Sequence, residues 1–234
     1  MIQGMAERRM LELMPISMRR RLLQRDIWVL RETRRNPWSD YSIADLDRHR
    51  CIFFHVPKTA GVSISRALFG SLAAGHIDIA TAKLVFGTYR FDRYFKFCFV
   101  RNPWDRLVSA FVYLRGGGME ANITPWAELH IASHTFESFV REELNQAQVL
   151  EERHLRPQHS YVCERGDVAV DFVGRFENLE SDYRQVAEHL DIEAELPKLN
   201  MTQRDDYRVY YNLETRSIVE DVYSRDIEIF GYEF

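Results

Sequence analysis

The chain has 234 residues, 46% of them hydrophobic and 28% charged, with a formal net charge of −4. These values suit a globular chain with a sizeable core and exclude a disordered or fibrous one. The slightly acidic balance supplies no general field for nucleic acid, so any anion site has to be a local cluster. Cys51, Cys98 and Cys163 have neither the spacing of a zinc motif nor that of a disulfide framework. No apolar run approaches the roughly 18 residues of a membrane span, and no signal-peptide pattern opens the chain. The expectation is a soluble, cytoplasmic protein without a transmembrane span.

Residues 1–35 are Arg-rich, with Arg8, Arg9, Arg19, Arg20 and Arg21 among them, and apolar residues recur at Leu11, Met14, Met18 and Leu22. They read as an N-terminal helical extension, either packed on the domain edge or in peripheral contact with an anionic membrane. Asn36-Pro37 breaks the pattern, and 36–234 reads as a single domain.

Cys51 to Val56 is a short apolar run rich in aromatic and β-branched residues and ended by Pro57, which predicts a buried strand. Small residues around one cation follow, Lys58-Thr59-Ala60-Gly61, and then Ile64, Ala67 and Leu68 at helical spacing. A strand, a tight turn and a helix start can aim free backbone N–H groups at an anion. Lys58 adds a compact positive charge there. Only four of the 31 basic residues are lysine, so a lysine in this loop is a notable choice.

Asp78 is placed to cap a helix over about 79–86 that Gly87 ends. Phe95 to Val100 predicts a second buried strand. Asn102 and Pro103 then mark the start of a helix to about Leu114. Gly116 to Gly118 stop it and open a stretch to about 133, read as a lid or acceptor loop. Thr135 to Leu144 reads as helix, 145–167 as irregular, 170–176 as a third strand, and 179–190 and 213–223 as helices. The C-terminal aromatics are expected to dock. Strands alternating with helices imply a mainly parallel sheet, and such sheets bind ligands at the carboxyl ends of their strands. Lys58 and Arg101 both fall there.

The loop lacks the GxxxxGK[ST] order of nucleotide triphosphatases, because Lys58 precedes Gly61. Taken alone it can equally be structural. Arg101, just before a helix start, offers a forked donor for an anion. Ser109 lies two helical turns on, on roughly the same side. The competing possibility is that Arg101 pairs with Asp105 and Ser109 bonds its own helix.

Two stretches, HVPKTAGVSIS at His55–Ser65 and FKFCFVRNPWDRLVSAF at Phe95–Phe111, resemble the two cofactor signatures of sulfotransferases. They resemble in particular the carbohydrate branch that includes heparan sulfate 2-O- and 6-O-sulfotransferases and bacterial relatives. Asp171 to Leu179 and Asp226 to Tyr232 extend the resemblance over about 50–234. It implies an α/β, P-loop-like three-layer fold with a central, mainly parallel sheet flanked by helices. It further implies a donor, 3′-phosphoadenosine 5′-phosphosulfate, and the product adenosine 3′,5′-bisphosphate, with no metal required. Lys58, Thr59, Ala60, Gly61, Val62 and Ser63 would hold the 5′-phosphosulfate. Arg101 and Ser109 would hold the 3′-phosphate, joined by Arg204 from a late polar loop. Val62 departs from the pattern, since many relatives carry Thr or Ser there.

On this resemblance the activity is transfer of a sulfuryl group to a hydroxyl of a carbohydrate or other alcohol acceptor. Lys58 would stabilise the departing bridging oxygen, and a histidine would serve as base. His76, the one histidine between the two signatures, comes first, ahead of His154 and then His55. The alternative is a non-catalytic protein or a nucleotide-dependent, kinase-like P-loop protein.

Overall fold

The computed structural model describes residues 41–73, 75–118, 124–147, 149–150, 152–196 and 205–234. The Arg-rich extension 1–35 and Arg204 lie outside these residues.

A short strand, β1 (Tyr41–Ser42), and a one-turn helix, α1 (Ala44–Arg48), lead into β2 (Cys51–Phe54). Next come α2 (Gly61–Phe69), β3 (Leu72–Ala73), α3 (Ile79–Arg93), β4 (Phe95–Val100) and α4 (Pro103–Arg115). After a helix α5 (Phe136–Glu142), strands β5 (Cys163–Glu164), β6 (Asp167–Val168) and β7 (Phe172–Arg175) follow. Helices α6 (Leu179–His189), α7 (Leu213–Val222) and α8 (Ser224–Phe230) complete the described chain.

The fold is α/β, with a small parallel sheet flanked by helices. The three strands expected from the sequence make that sheet, in the order β2-β4-β7 and parallel throughout. Phe54 of β2 stands opposite Cys98 of β4, and Val100 of β4 opposite Arg175 of β7. All four residues of β2 are buried, as a parallel strand covered on both faces requires. Phe53, Phe54, Phe97 and Phe99 are fully buried at its centre, and each such ring contributes roughly 2–3 kcal/mol of burial free energy. A second apolar cluster gathers α4, α5 and α7 around Trp104, Phe111, Phe139 and Tyr223. The C-terminus closes over it, Phe234 meeting Trp104 edge-on with ring centres 5.5 Å apart.

Three local expectations change. The helix after Asp78 does not stop at Gly87. The glycine adopts φ 73° and ψ 158° and breaks the helix internally, and helical residues resume to Arg93. Glycine reaches that backbone region without a Cβ penalty, so the chain kinks there. The stretch read as a lid contains a short helix at Pro125–Ala127 and a π-turn at Glu128–Ala132. Ala127 and Ile131 are buried in that segment, which anchors it. The tract 145–167, read as irregular, holds a short helix at His159–Val162 and the antiparallel pair β5–β6.

The register puts the carboxyl ends of β2 and β4 side by side, so the loops that follow them are neighbours. Those loops carry Lys58 and Arg101.

Candidate active site

The first loop runs from His55 to Ala60. Thr59, fully buried, donates its hydroxyl to the Val56 carbonyl at 2.8 Å and closes the turn. What Thr59 can offer a ligand is therefore its backbone. Lys58 (φ 70°) and Ala60 (φ 66°) both lie in the left-handed region, which costs a non-glycine residue roughly 1–2 kcal/mol. Ala60 is also the N-cap of α2, and no acidic residue occupies the first turn. The opening N–H groups of Gly61, Val62 and Ser63 thus start a nine-residue helix without a carboxylate to satisfy them. Gly61 is sterically required. A Cβ there would stand 1.9 Å from Cδ2 of His55, closer than any real contact.

The second loop is short, two residues between β4 and α4. Asn102 caps α4 through its side chain, accepting from the N–H groups of Trp104 and Asp105, and Pro103 takes the first helical position. Arg101 is 7% exposed. Its Nε donates to Asp105 Oδ2 at 2.6 Å, its Nη1 donates to the Lys58 carbonyl at 3.2 Å, and its guanidinium lies 3.8 Å from the centre of the Phe176 ring. The ion pair with Asp105 is therefore real, and the same guanidinium also ties the two loops together. Gln158, fully buried, accepts from the Arg101 N–H at 2.9 Å and donates to the Arg101 carbonyl at 2.8 Å. Asp226, also fully buried, accepts in turn from the N–H groups of Gln158 and His159.

Asp105, Ser109 and Tyr113 recur at i, i+4 and so share one face of α4. Arg101 bonds the first of them. Lys58 places its ammonium 3.7 Å from the ring centre of the third. Half-buried Ser109 lies between these two cation contacts on the helix.

Three histidines collect beside Lys58. Tyr113 packs at a tilt against His154 with ring centres 4.9 Å apart, His154 meets His76 at 6.0 Å, and His76 meets His55 at 4.2 Å. His76 Nδ1 donates to the His55 carbonyl at 2.7 Å, since a carbonyl can only accept. His154 Nδ1 bonds Glu152 Oε1 at 2.7 Å. Burial depresses the pKa of all three. His76 falls to about 4, with its bond to the His55 carbonyl acting the other way. His55, buried against His76 and His154, lies well below the ordinary range. Burial also lowers His154, and Glu152 opposes that shift.

The structure therefore brings together Lys58, Arg101, Ser109 and the three candidate histidines, from segments far apart in sequence. Four further residues complete the setting: Tyr113, Arg106, Gln158 and Glu152. Tyr113 was foreshadowed by its i, i+4 spacing from Ser109. Gln158 and Glu152 sit in a polar tract with no periodicity, so nothing local marks them. Arg106 is 1% exposed. It donates through Nη1 to the His154 carbonyl at 3.1 Å and through Nη2 to the Arg156 carbonyl at 3.0 Å.

The protein is thus an α/β protein with two cations at the strand ends of its parallel sheet. Comparison with known proteins sharpens this: residues 42–233 match the model of the sulfotransferase family, and the chain belongs to that family. Among curated proteins, human carbohydrate sulfotransferase 14 is 26% identical over 223 residues, covering 80% of this chain and 58% of its own length. The zebrafish (Danio rerio) carbohydrate sulfotransferase 14 is 27% identical, covering 73% of this chain and 53% of its own. An uncharacterized protein of Archaeoglobus fulgidus is 30% identical over 123 residues, covering 52% of this chain and 89% of its own. The alignments thus span little more than half the length of the vertebrate relatives. The resemblance to carbohydrate sulfotransferases that the two signatures carry is borne out. No solved structure gave a significant match. No helix among the described residues is long and apolar enough to cross a membrane.

Proposed function

We propose that the protein moves a sulfuryl group from 3′-phosphoadenosine 5′-phosphosulfate to a hydroxyl of a carbohydrate or other alcohol acceptor, on a P-loop-like fold. The observation that carries this reading is the hydrogen bond from Arg101 Nη1 to the Lys58 carbonyl, 3.2 Å long. It joins two loops that each offer a cation at the end of a parallel strand, which suits a donor with phosphates at both ends.

The residues present fit such a donor. The left-handed backbone at Lys58 and Ala60 and the acid-free first turn of α2 make a cradle for an anion. Gly61, Val62 and Ser63 would hold the 5′ end through N–H groups, so a hydroxyl at Val62 is dispensable. Arg101 and Ser109 would hold the 3′-phosphate, with Asp105 fixing the guanidinium. Arg204 remains part of the proposal, from outside the described residues. The donor supplies an electrophilic sulfuryl group on a good leaving group. Lys58 would balance charge gathering on the departing oxygen, and a histidine of the cluster would take the acceptor proton. His76, first on sequence grounds, belongs to that cluster. A cytoplasmic setting is retained in the proposal, consistent with three unpaired cysteines.

Calorimetry with adenosine 3′,5′-bisphosphate in the absence of magnesium tests the donor. Binding there, with poor binding of ADP, is the expected result. No binding at millimolar ligand refutes the donor assignment, and magnesium-dependent ATP binding would favour a kinase-like protein. Labelled donor offered with hyaluronan, desulfated heparin, alginate and a neutral glucan then tests transfer. Bisphosphate binding with no transfer to any of them would point to a non-catalytic protein.

A further inference from the structure

Among the three clustered histidines, one is built differently. His76 Nδ1 meets a backbone carbonyl, and among the described residues no charged group is bonded to its ring. His154 Nδ1 meets a carboxylate, Glu152 Oε1, at 2.7 Å. The Glu152 carboxyl is held below its ordinary pKa, with its bonds to His154 overcoming burial. An ionised carboxylate only accepts, so Nδ1 carries the hydrogen and the lone pair that can take a proton is on Nε2.

The ring is also positioned from outside its own loop. Arg106, projecting from the helix that carries Ser109, pins the backbone at His154 and Arg156. Tyr113, from the same helix, packs at a tilt against the imidazole and holds Lys58 against its own ring. His154 is thus one aromatic ring away from the lysine assigned to the leaving group. The His154 side chain keeps 15% of its surface exposed, enough to be reached.

We propose that Glu152 and His154 form a carboxylate–histidine pair in which His154 is the base and Glu152 its positioning residue. This rests on the sulfuryl-transfer reading above. The acceptor O–H proton passes to His154 Nε2 as the acceptor oxygen bonds to sulfur. The bond from sulfur to the bridging phosphate oxygen breaks, its electron pair leaves with the bisphosphate, and Lys58 meets that charge. The imidazolium then returns its proton to solvent. Glu152 stabilises the imidazolium, as a carboxylate behind an imidazole does in hydrolytic triads. A cation on His76 would contact a carbonyl dipole, and the Glu152 carboxylate favours it less than that dipole does. The charged or titratable groups around His154 are Glu152 and Arg153 on its own loop, Lys58 from the first loop, Arg106 and Tyr113 from α4, and His76 and His55 behind it. Of these only Glu152 favours the charged ring.

The test uses the whole protein, labelled with ¹⁵N-histidine, and does not require activity. Removing a carboxylate in direct contact lowers an imidazole pKa by about 1–3 pH units. Glu152→Gln is therefore expected to shift the His154 titration down by that much, and Glu152→Asp to return it toward the wild type. With whichever polysaccharide of the panel is sulfated, His154→Asn should lower kcat by roughly 10²–10⁴-fold while bisphosphate affinity holds. The acid limb of the kcat profile should move to lower pH in Glu152→Gln. A His154 titration unmoved in Glu152→Gln overturns the pair. Wild-type kcat in His154→Asn, with loss in His76→Asn, overturns the choice of base. Failure of the wild-type protein to bind bisphosphate refutes the donor reading instead, and leaves the titration to judge the pair.

Discussion

Lys58 holds its ammonium 3.7 Å from the ring centre of Tyr113, so the side chain assigned to catalysis rests on α4 rather than in bulk water. A cation over an aromatic face is attracted by about 0.5–2 kcal/mol. That contact brings the charge of one strand-end loop to the helix that follows the other, on the face that also presents Ser109 and Asp105.

Replacing Lys58 by Ala is expected to slow sulfuryl transfer by roughly 10²–10³-fold, the effect of losing one preorganised donor to a developing charge. Thermal unfolding of the variant should stay close to wild type, because the anchors of the loop are Thr59 and Gly61. Steady-state kinetics with labelled donor makes the comparison, and near-normal turnover would remove Lys58 from the mechanism.

Arg101 carries two roles that substitutions can separate. Its side chain and that of Asp105 are 9% and 14% exposed. Arg101→Ala removes the guanidinium from a half-buried carboxylate and should cost about 1–3 kcal/mol of stability. Adding Asp105→Ala should restore much of that loss. Bisphosphate affinity should stay about 10–100-fold weaker in both variants, since each charge-assisted bond is worth roughly 1.5–3 kcal/mol. Denaturant titration and calorimetry on the two proteins decide it. Recovery of binding in the double variant would show that Arg101 acts only on Asp105.

Gly61 and His55 form a steric pair. His55 lies stacked on Phe53, with ring centres 5.6 Å apart and planes within 7°. The ring is held on its other contact by His76, so it has little room to retreat from a Cβ at position 61. Gly61→Ala should destabilise by roughly 1–3 kcal/mol. In the double variant with His55→Ala the costs should fall short of additivity by at least about 0.5 kcal/mol. Strict additivity would mean that the loop, not the ring, absorbs the clash.

The depressed histidines predict an acid-sensitive fold. His76 titrates near 4 when folded, chiefly through burial, and near 6.5 when unfolded. The unfolded chain therefore binds more protons between these values, and stability falls as pH drops. The stabilisation is complete above about pH 6.5 and is lost toward pH 4, with roughly 3 kcal/mol attributable to His76. His55 shifts in the same direction. Asp78 and Glu152, whose pKa values are lowered, act below that window. Denaturant midpoints measured from pH 7.5 to 4.5 should flatten in His76→Gln. An unchanged slope would assign the acid sensitivity elsewhere.

Much of this protein was written locally. Runs of buried aromatic and β-branched residues announced β2 and β4, because both faces of a covered parallel strand are apolar, and alternation announced the half-buried β7. Asp78, Asn102-Pro103 and Thr135 announced helix starts, and each caps its helix. The two signatures placed Lys58 and Arg101 at strand ends. Other features depend on contacts between distant segments, which no local pattern encodes. The β1–β3 and β5–β6 pairs are two residues per strand and offer no alternation to read. Gly87 looked like a helix stop because a local rule cannot see that packing on both sides lets the helix resume. Interval and order favoured His76 as base. Only the tertiary structure set His154 beside Lys58 and behind it Glu152, because Arg106 reaches from one segment to fix the backbone of another.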